Sequence, residues 1–245
     1  MFECLKNKSS EDKPRVSVSV TSQKLLWCPF AQIVKPEMKT NGKYSKGYPE
    51  GCIIHFTAGQ DSTEKDALGS LEYGRKMGYA FFVIGPTGVI YQSHPLDRWG
   101  SHAGESYYQG LGNYVSQKLV GIEVACAGNL EKGPTGFKSW FGKSYNQSAT
   151  REVTQDNANQ CKGVYKAYTQ EQEESLTNLI MWLKKNNPEI FRLEYVLGHD
   201  SVAGKGALGR WRKVDPGGSL SMTIPEYQKK LIAEYREYQN SLITN

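Results

Sequence analysis

The chain has 245 residues, of which 38% are hydrophobic and 11% aromatic, and its formal net charge is +5. This content supports a packed core and excludes a chain that is disordered throughout, and the length lies within the range of a single α/β domain. The positive excess is modest and suits a polyanionic partner. A nucleic-acid-binding protein would rest on this charge alone, because the sequence has no clustered basic and aromatic platform.

The cysteines and the lack of long apolar runs indicate the compartment in which the chain is made. The five cysteines form no CxxC pair and are odd in number, so neither a disulfide framework nor a zinc ribbon is indicated. Cys52 and Cys126 lie in apolar runs and are predicted to be small core residues of a chain made in a reducing compartment. Residues 1–6 lack an apolar signal region, and no apolar run is long enough for a membrane span. We therefore expect synthesis in the cytoplasm without a signal peptide.

The first quarter of the chain leads into one buried strand. Residues 1–14 are polar, and residues 16–20 alternate as a strand does. Residues 21–50 are irregular, with several prolines and glycines. Residues 52–57 are then predicted to be a core strand, and they carry His55 near their end.

A helix and a hairpin are predicted next. Residues 61–63 offer N-cap side chains, and the helix would place Ala67, Leu68 and Leu71 on one face before ending at Gly78. The hairpin and the elements after it are, in order, paired strands at 79–84 and 89–92, a loop over 93–117, and a buried strand at 119–125. Glu123 is the acidic residue inside that last strand.

The second half begins with a long polar segment. Residues 128–165 show no regular pattern, and an irregular segment of this length is unusual in a compact domain. We interpret it as an insertion, with a lid as the hypothesis for its role. A capping box at 169–172 then starts a helix that ends before Pro188. Its apolar face is formed by Leu176, Leu179, Ile180 and Leu183.

The chain closes with a strand, a loop and a helix. Residues 195–199 are predicted to be a short strand ending in His199, and residues 200–220 a basic, glycine-rich loop. A second capping box at 223–226 starts the last helix, whose apolar stripe is expected to pack on the core. That stripe consists of Tyr227, Leu231, Tyr235, Tyr238 and Leu242.

This element order predicts an α/β fold with a central mixed sheet of five or six strands, flanked by helices. We expect an N-terminal extension over residues 1–44 and one domain over residues 45–245, with the insertion at about 128–165. Since ligand sites in α/β sheets lie at the carboxyl ends of strands, a site is expected there.

Two predicted strands end in histidines, and a carboxylate follows the second one. His55, His199 and Asp215 would leave the fourth position of a tetrahedral Zn²⁺ open, as in a catalytic site. Glu123 could move protons beside it, and Lys213 could stabilise a developing oxyanion. From spacing alone the alternative stays open that these are two hydrogen-bonded histidines and a surface aspartate, because no HExxH helix occurs.

The motifs themselves resemble those of a known family. In family order they are residues 53–59 (IIHFTAG), the hairpin 78–92, residues 99–104 (WGSHAG), residues 120–124 (VGIEV), and residues 198–200 with 213–217. Together these stretches resemble the zinc-dependent N-acetylmuramoyl-L-alanine amidases of type 2, a family that includes phage lysozyme-like amidases and peptidoglycan recognition proteins. The resemblance covers roughly residues 45–220.

The resemblance implies a set of catalytic residues. His55, His199 and Asp215 would bind one Zn²⁺ per chain. Glu123 would act as general base and acid, and Lys213 would stabilise the tetrahedral intermediate. A further catalytic position corresponds to Tyr79.

The resemblance also places Thr57, Trp99 and His102 along the substrate groove, with His102 near the metal but not a ligand of it. Two positions vary from the family pattern. Ala80 stands where the hairpin usually carries a histidine, and the third ligand is Asp215, where other branches use cysteine.

The implied activity is hydrolysis of the amide between N-acetylmuramic acid and L-alanine in peptidoglycan. The expected partner is peptidoglycan or a soluble muropeptide, with no nucleic acid and no membrane span, and we expect a monomer. A phage endolysin that degrades the host cell wall from the periplasm, and is thus bacteriolytic and antimicrobial, is favoured by the basic chain. A cytosolic muropeptide-recycling amidase and a delivered effector are alternatives. A non-catalytic recognition module is disfavoured, because all three ligand positions are filled.

Overall fold

The computed structural model describes residues 25–37, 40–79, 81–134, 136–157, 160–204 and 212–243. The strand expected at 16–20 and the departure at Ala80 lie outside these residues. The helices are α1 (Glu64–Met77), α2 (Gln170–Asn186), α3 (His199–Val202) and α4 (Ile224–Ile243). The strands are β1 (Gln32–Ile33), β2 (Gly42–Lys43), β3 (Gly51–Phe56), β4 (Phe82–Ile84), β5 (Ile90–Gln92), β6 (Arg98–Trp99), β7 (Tyr107–Tyr108), β8 (Gly112–Asn113), β9 (Leu119–Val124), β10 (Asn129–Gly133), β11 (Gly136–Lys138), β12 (Ser144–Tyr145), β13 (Thr150–Val153), β14 (Gly163–Lys166) and β15 (Val196–Gly198).

The central sheet has six strands in the order β1-β5-β4-β9-β3-β15. Only the β4–β5 hairpin is antiparallel, so the sheet is mixed, as predicted. The three central strands β4, β9 and β3 run parallel, and their carboxyl ends therefore meet at one edge. This edge is where the histidine of β3 and the glutamate of β9 lie, since His55 and Glu123 are register partners.

Side chains alternate between two faces of this sheet. Cys52, Ile54 and Ile122 face the main core, which α2 and α4 cover. On the other face, Ala67 and Leu71 of α1 pack against Val83. The rest of that face is covered by the segment before β9 and by α3, in a cluster that includes Ala103, Leu111, Val115 and Val202. His55 and Glu123 point to this second face, because they alternate with the core residues.

The predicted helix starts are confirmed. Thr63 and Thr169 each close a capping box, and Gly78 ends α1 in the left-handed conformation. Within the predicted stripes two residues are exposed instead of buried: Leu68, at 38%, and Leu242, at 61%. Leu68 lies at the edge of the α1 face, and α4 extends beyond the core that its first two turns cover.

Residues 128–165 contain strands that the sequence did not indicate. They form a second, antiparallel sheet in the order β12-β11-β10-β14-β13. The segment predicted as a loop, 93–117, likewise contains the short strands β6, β7 and β8. No helix in the described part of the chain is long and apolar enough to cross a membrane.

Candidate metal centre and groove

Three side chains from distant parts of the chain converge at the edge of the sheet. His55 lies near the end of β3, and His199 follows β15 directly. Gly198 of β15 pairs with Ile54 of β3, so the two histidines are neighbours across the sheet. Their Nδ1 atoms are 3.0 Å apart. Asp215 places Oδ2 at 2.8 Å from the Nδ1 of His55 and 3.0 Å from that of His199. All three residues are buried.

The hydrogen bonds on the far sides of the rings fix where the protons are. His199 Nε2 lies 3.2 Å from the carbonyl oxygen of Ala103, and His102 Nε2 lies 2.8 Å from that of Leu119. A carbonyl only accepts, so both Nε2 atoms donate. His102 Nδ1 then accepts from His55 Nε2, at 3.0 Å. In the neutral rings, the Nδ1 atoms of His55 and His199 therefore both present lone pairs toward the carboxylate of Asp215.

The pKa shifts of two of these rings agree with their neutral form. Burial and the neighbouring His199 lower the pKa of His55 to about 4. Burial and His55 also hold the pKa of His102 well below its usual range.

Three acceptors facing one another with no proton between them fit a cation. Ligand atoms of a tetrahedral zinc site lie roughly 3.3 Å apart, close to the 2.8–3.0 Å found between the atoms of His55, His199 and Asp215. Two imidazoles and one carboxylate are also a donor set that zinc favours. The residues present therefore fit a zinc ion, with room left for water or substrate on the pocket side.

Glu123 lies beside this cluster on the neighbouring strand. Among the described residues, its Oε2 is buried and has no hydrogen-bond partner. Burial and the charge of Asp215 raise its pKa to about 8, against the opposing effect of Lys213. A carboxyl group with these properties is a candidate proton carrier.

Lys213 and Tyr79 line the same pocket as the cluster. Lys213 is exposed, yet its charge reaches both Glu123 and His55, whose pKa values it lowers. Burial and the neighbouring Tyr73 raise the pKa of Tyr79 to about 12, so its phenol stays protonated at neutral pH. Both groups can therefore donate hydrogen bonds into the pocket.

The predicted groove residues lie in different surroundings. Thr57 and His102 line the pocket, but both ring nitrogens of His102 are engaged, and the ring lies against Gly121 of β9. A Cβ atom at Gly121 would lie 2.7 Å from His102 Cγ. Trp99 packs against the main core, and it is not among the described residues that line the pocket. Substrate contact by these residues stays a prediction.

The groove continues past the cluster. The cavity around the cluster, called the cluster pocket below, has a volume of about 470 Å³ and reaches Arg212. It shares Thr57, Ala58, Tyr79 and Glu123 with a second cavity of about 810 Å³ that runs along α1 to Trp140. This second cavity is called the α1 arm below.

Arg212, Tyr73 and Trp140 also line these two cavities, although none of them was predicted to be a site residue. For Trp140 a signal was present. It is a lone tryptophan inside a segment otherwise rich in Gly, Ser and charged residues, where a large apolar ring has no evident core to fill.

The fold thus brings together a cluster that could hold a metal ion and, on the neighbouring strand, the carboxyl group of Glu123. The sequence profile of the N-acetylmuramoyl-L-alanine amidase family matches residues 45–218. The chain belongs to this family, and the predicted family and amidase activity are thereby confirmed.

Several solved structures are similar to this chain at low identity. A selenomethionine derivative of AmpD has 22% identity and a TM-score of 0.50, with 79% of this chain and 90% of that chain covered. AmiD from E. coli, in complex with anhydro-N-acetylmuramic acid-L-Ala-D-gamma-Glu-L-Lys, has 20% identity and a TM-score of 0.45 over 69% of this chain and 54% of that one. The endolysin LysCS from Clostridium intestinale URNW has 15% identity and a TM-score of 0.44 over 86% and 98%. Among curated proteins, none matches the chain.

Proposed function

We propose that this chain hydrolyses the amide between N-acetylmuramic acid and L-alanine of peptidoglycan, with a zinc ion held by His55, His199 and Asp215. The observation that carries the proposal is the convergence of three acceptor atoms beside Glu123, whose Oε2 has no hydrogen-bond partner among the described residues. When bound, zinc would acidify a water molecule and polarise the carbonyl of the scissile amide.

Glu123 is proposed to carry the proton. Its carboxylate takes a proton from the attacking water and returns it to the alanine nitrogen as the carbon–nitrogen bond breaks. A pKa of about 8 lies close to neutral pH, where both transfers are nearly balanced. A cation bound in the cluster would bring this raised pKa down, because positive charge favours the carboxylate.

Lys213 and Tyr79 are proposed to stabilise the oxyanion that develops on the carbonyl oxygen. Both line the pocket beside Glu123, and both side chains are hydrogen-bond donors. Donors aimed at developing charge contribute more to the rate than donors aimed at the ground state.

We propose His102 as a positioning residue for the cluster. By accepting from Nε2 of His55 it keeps Nδ1 of that ring unprotonated and turned toward Asp215. Groups that orient a ligand ring in this way tune metal affinity.

The proposal is tested by identifying the bond that the protein hydrolyses. Purified protein incubated with peptidoglycan should release peptides with a free L-alanine amino group and leave the glycan intact. The variant Glu123→Gln is the matched control for contaminating hydrolases. New reducing sugar ends would instead identify a glycosidase, and amines from other peptide bonds would identify a peptidase.

We propose further that the enzyme acts on the cell wall as an endolysin, and so is bacteriolytic and antimicrobial. The net charge of +5 supports this, because a basic protein is attracted to a polyanionic wall. Added protein should lower the turbidity of permeabilised bacteria. Turnover of soluble muropeptides alone, without lysis, would favour a recycling enzyme.

A further inference from the structure

The insertion places one aromatic ring at the end of the groove. Trp140 is 74% exposed, although its indole Nε1 donates to the carbonyl oxygen of Ala58 at 2.6 Å. Ala58 follows β3, three residues after His55. The ring is therefore tied to the loop that leaves the metal-binding strand, while its faces remain open to solvent.

The turn that carries this ring is itself anchored. Residues 139–143 form a hydrogen-bonded turn between β11 and β12. Asp61 is buried in the loop that precedes α1, and its carboxylate accepts a hydrogen bond from Lys143. It also accepts one from the hydroxyl of Tyr145, at 2.9 Å. The insertion thus forms a fixed wall opposite α1.

The chemistry of the α1 arm suits a neutral ligand with apolar faces. Tyr73, 60% exposed, meets Tyr79 edge-on at 6.2 Å between ring centroids. The single cation that lines the arm among the described residues, Lys65, is balanced by Asp66. The hydroxyl groups of Thr57 and Ser70 and the amide of Gln60 also line the arm, as does the carboxyl group of Glu123. Aromatic rings flanked by such groups match a sugar, which has apolar ring faces and polar edges.

The opposite end of the groove has a different character. Arg212, which is exposed, lines the cluster pocket there. Its guanidinium suits a carboxylate of the peptide stem. Because the two ends differ in charge, they distinguish the two sides of the scissile amide.

We propose that Trp140 and Tyr73 form a subsite for the glycan strand of peptidoglycan in the α1 arm, with the stem peptide directed toward Arg212. This rests on the proposed function. Cavities of about 300–1,000 Å³ hold drug-sized ligands, so the arm's 810 Å³ accommodates more than one sugar ring. The preferred substrate class is then the polymeric wall and not a single muropeptide.

Binding of a peptide-free glycan tests the subsite independently of turnover. The probes are N-acetylglucosamine oligomers and wall glycan strands stripped of peptide, titrated against the full chain by calorimetry. Trp140→Ala should weaken glycan binding about tenfold. Trp140→Phe, which keeps a ring, should stay within about threefold of wild type, and Tyr73→Leu should show an intermediate loss. Phe30→Ala, which removes an exposed ring packed on Trp182, should have no effect.

Kinetics give the second readout. Trp140→Ala should raise KM for polymeric peptidoglycan about tenfold and leave kcat unchanged, with hydrolysis of muramoyl dipeptide unaffected. Equal glycan binding by Trp140→Ala and wild type would overturn the proposal, as would an isolated stem peptide that protects Trp140 from chemical modification. Glycan binding through Trp140 without any amide hydrolysis would support the subsite and refute the proposed function.

Discussion

The cluster pocket and the α1 arm adjoin each other, yet the two halves of the groove are built in different ways. In the cluster pocket, buried side chains from distant parts of the chain converge, and each histidine ring is held by a hydrogen bond on its far side. In the α1 arm, exposed rings stand on a helix and on the insertion, and Trp140 has one hydrogen bond. Substitutions in the cluster pocket should therefore abolish hydrolysis, whereas substitutions in the α1 arm should reduce it by degrees.

The largest effect is expected at Glu123. Glu123→Gln keeps the shape of the side chain but cannot accept a proton, so kcat should fall by about 10²–10⁴. Metal content and KM should be unchanged, since Glu123 is not in the His55, His199, Asp215 set. The measurement is kcat on a soluble muropeptide together with zinc content by elemental analysis. A kcat within a few-fold of wild type would show that another group moves the proton.

The next effect concerns metal affinity. His102→Phe removes the acceptor for His55 Nε2, and zinc should then bind about 10–100-fold more weakly. His94→Phe is a matched control, because His94 is also a buried loop histidine and both rings contact Phe81. Competition with a chromophoric chelator measures both affinities.

If His102→Phe bound zinc as tightly as His94→Phe, the positioning role would be excluded. A difference between the two variants cannot come from loss of a buried imidazole alone, because both lose one.

The cluster pocket and the α1 arm differ in how much of each could be predicted from the sequence. His55 and His199 stand at the ends of apolar strands and Asp215 lies in a loop, all within recognisable motifs, so local sequence identified them. The contact of His102 with His55 depends on the space left by Gly121 across the sheet, and no local pattern records it.

The insertion sheet escaped sequence analysis for a different reason. Its strands are short, polar and half-exposed, as in the run NLEKG of β10, so the alternation that marks a strand is missing. Their pairing is also non-local, since Asn129 pairs with Tyr165. Five strands of the core sheet, β3, β4, β5, β9 and β15, could be predicted because they are buried and separated by clear caps and turns. The sixth strand, β1, is exposed and lies in residues 21–50, which were predicted to be irregular.

A smaller effect should appear in the stability of the metal-free protein between about pH 6.5 and 8. The pKa of Glu123 is raised from 4.5 in the unfolded chain to about 8, so unfolding favours proton release in this window and stability falls as pH rises. The lowered pKa values of His55 and His102 act below 6.5, outside this window. Glu123→Gln should therefore gain in Tm over wild type as pH increases, measured by scanning calorimetry with chelator present. A Tm difference that is independent of pH would contradict the raised pKa.

The smallest effect is expected where the insertion is anchored. Tyr145→Phe removes one hydrogen bond to Asp61 but leaves those from Lys143 and from the Ala127 amide, at 3.2 Å. The loss should be about 1 kcal/mol, or about 2–4 °C in Tm for a chain of this size. Hydrolysis of muramoyl dipeptide should stay at the wild-type rate, because the cluster pocket is built from other elements, while glycan affinity should fall by less than in Trp140→Ala. A loss of dipeptide hydrolysis in Tyr145→Phe would mean that the insertion supports the cluster pocket as well as the α1 arm, and the two halves would then act as one unit.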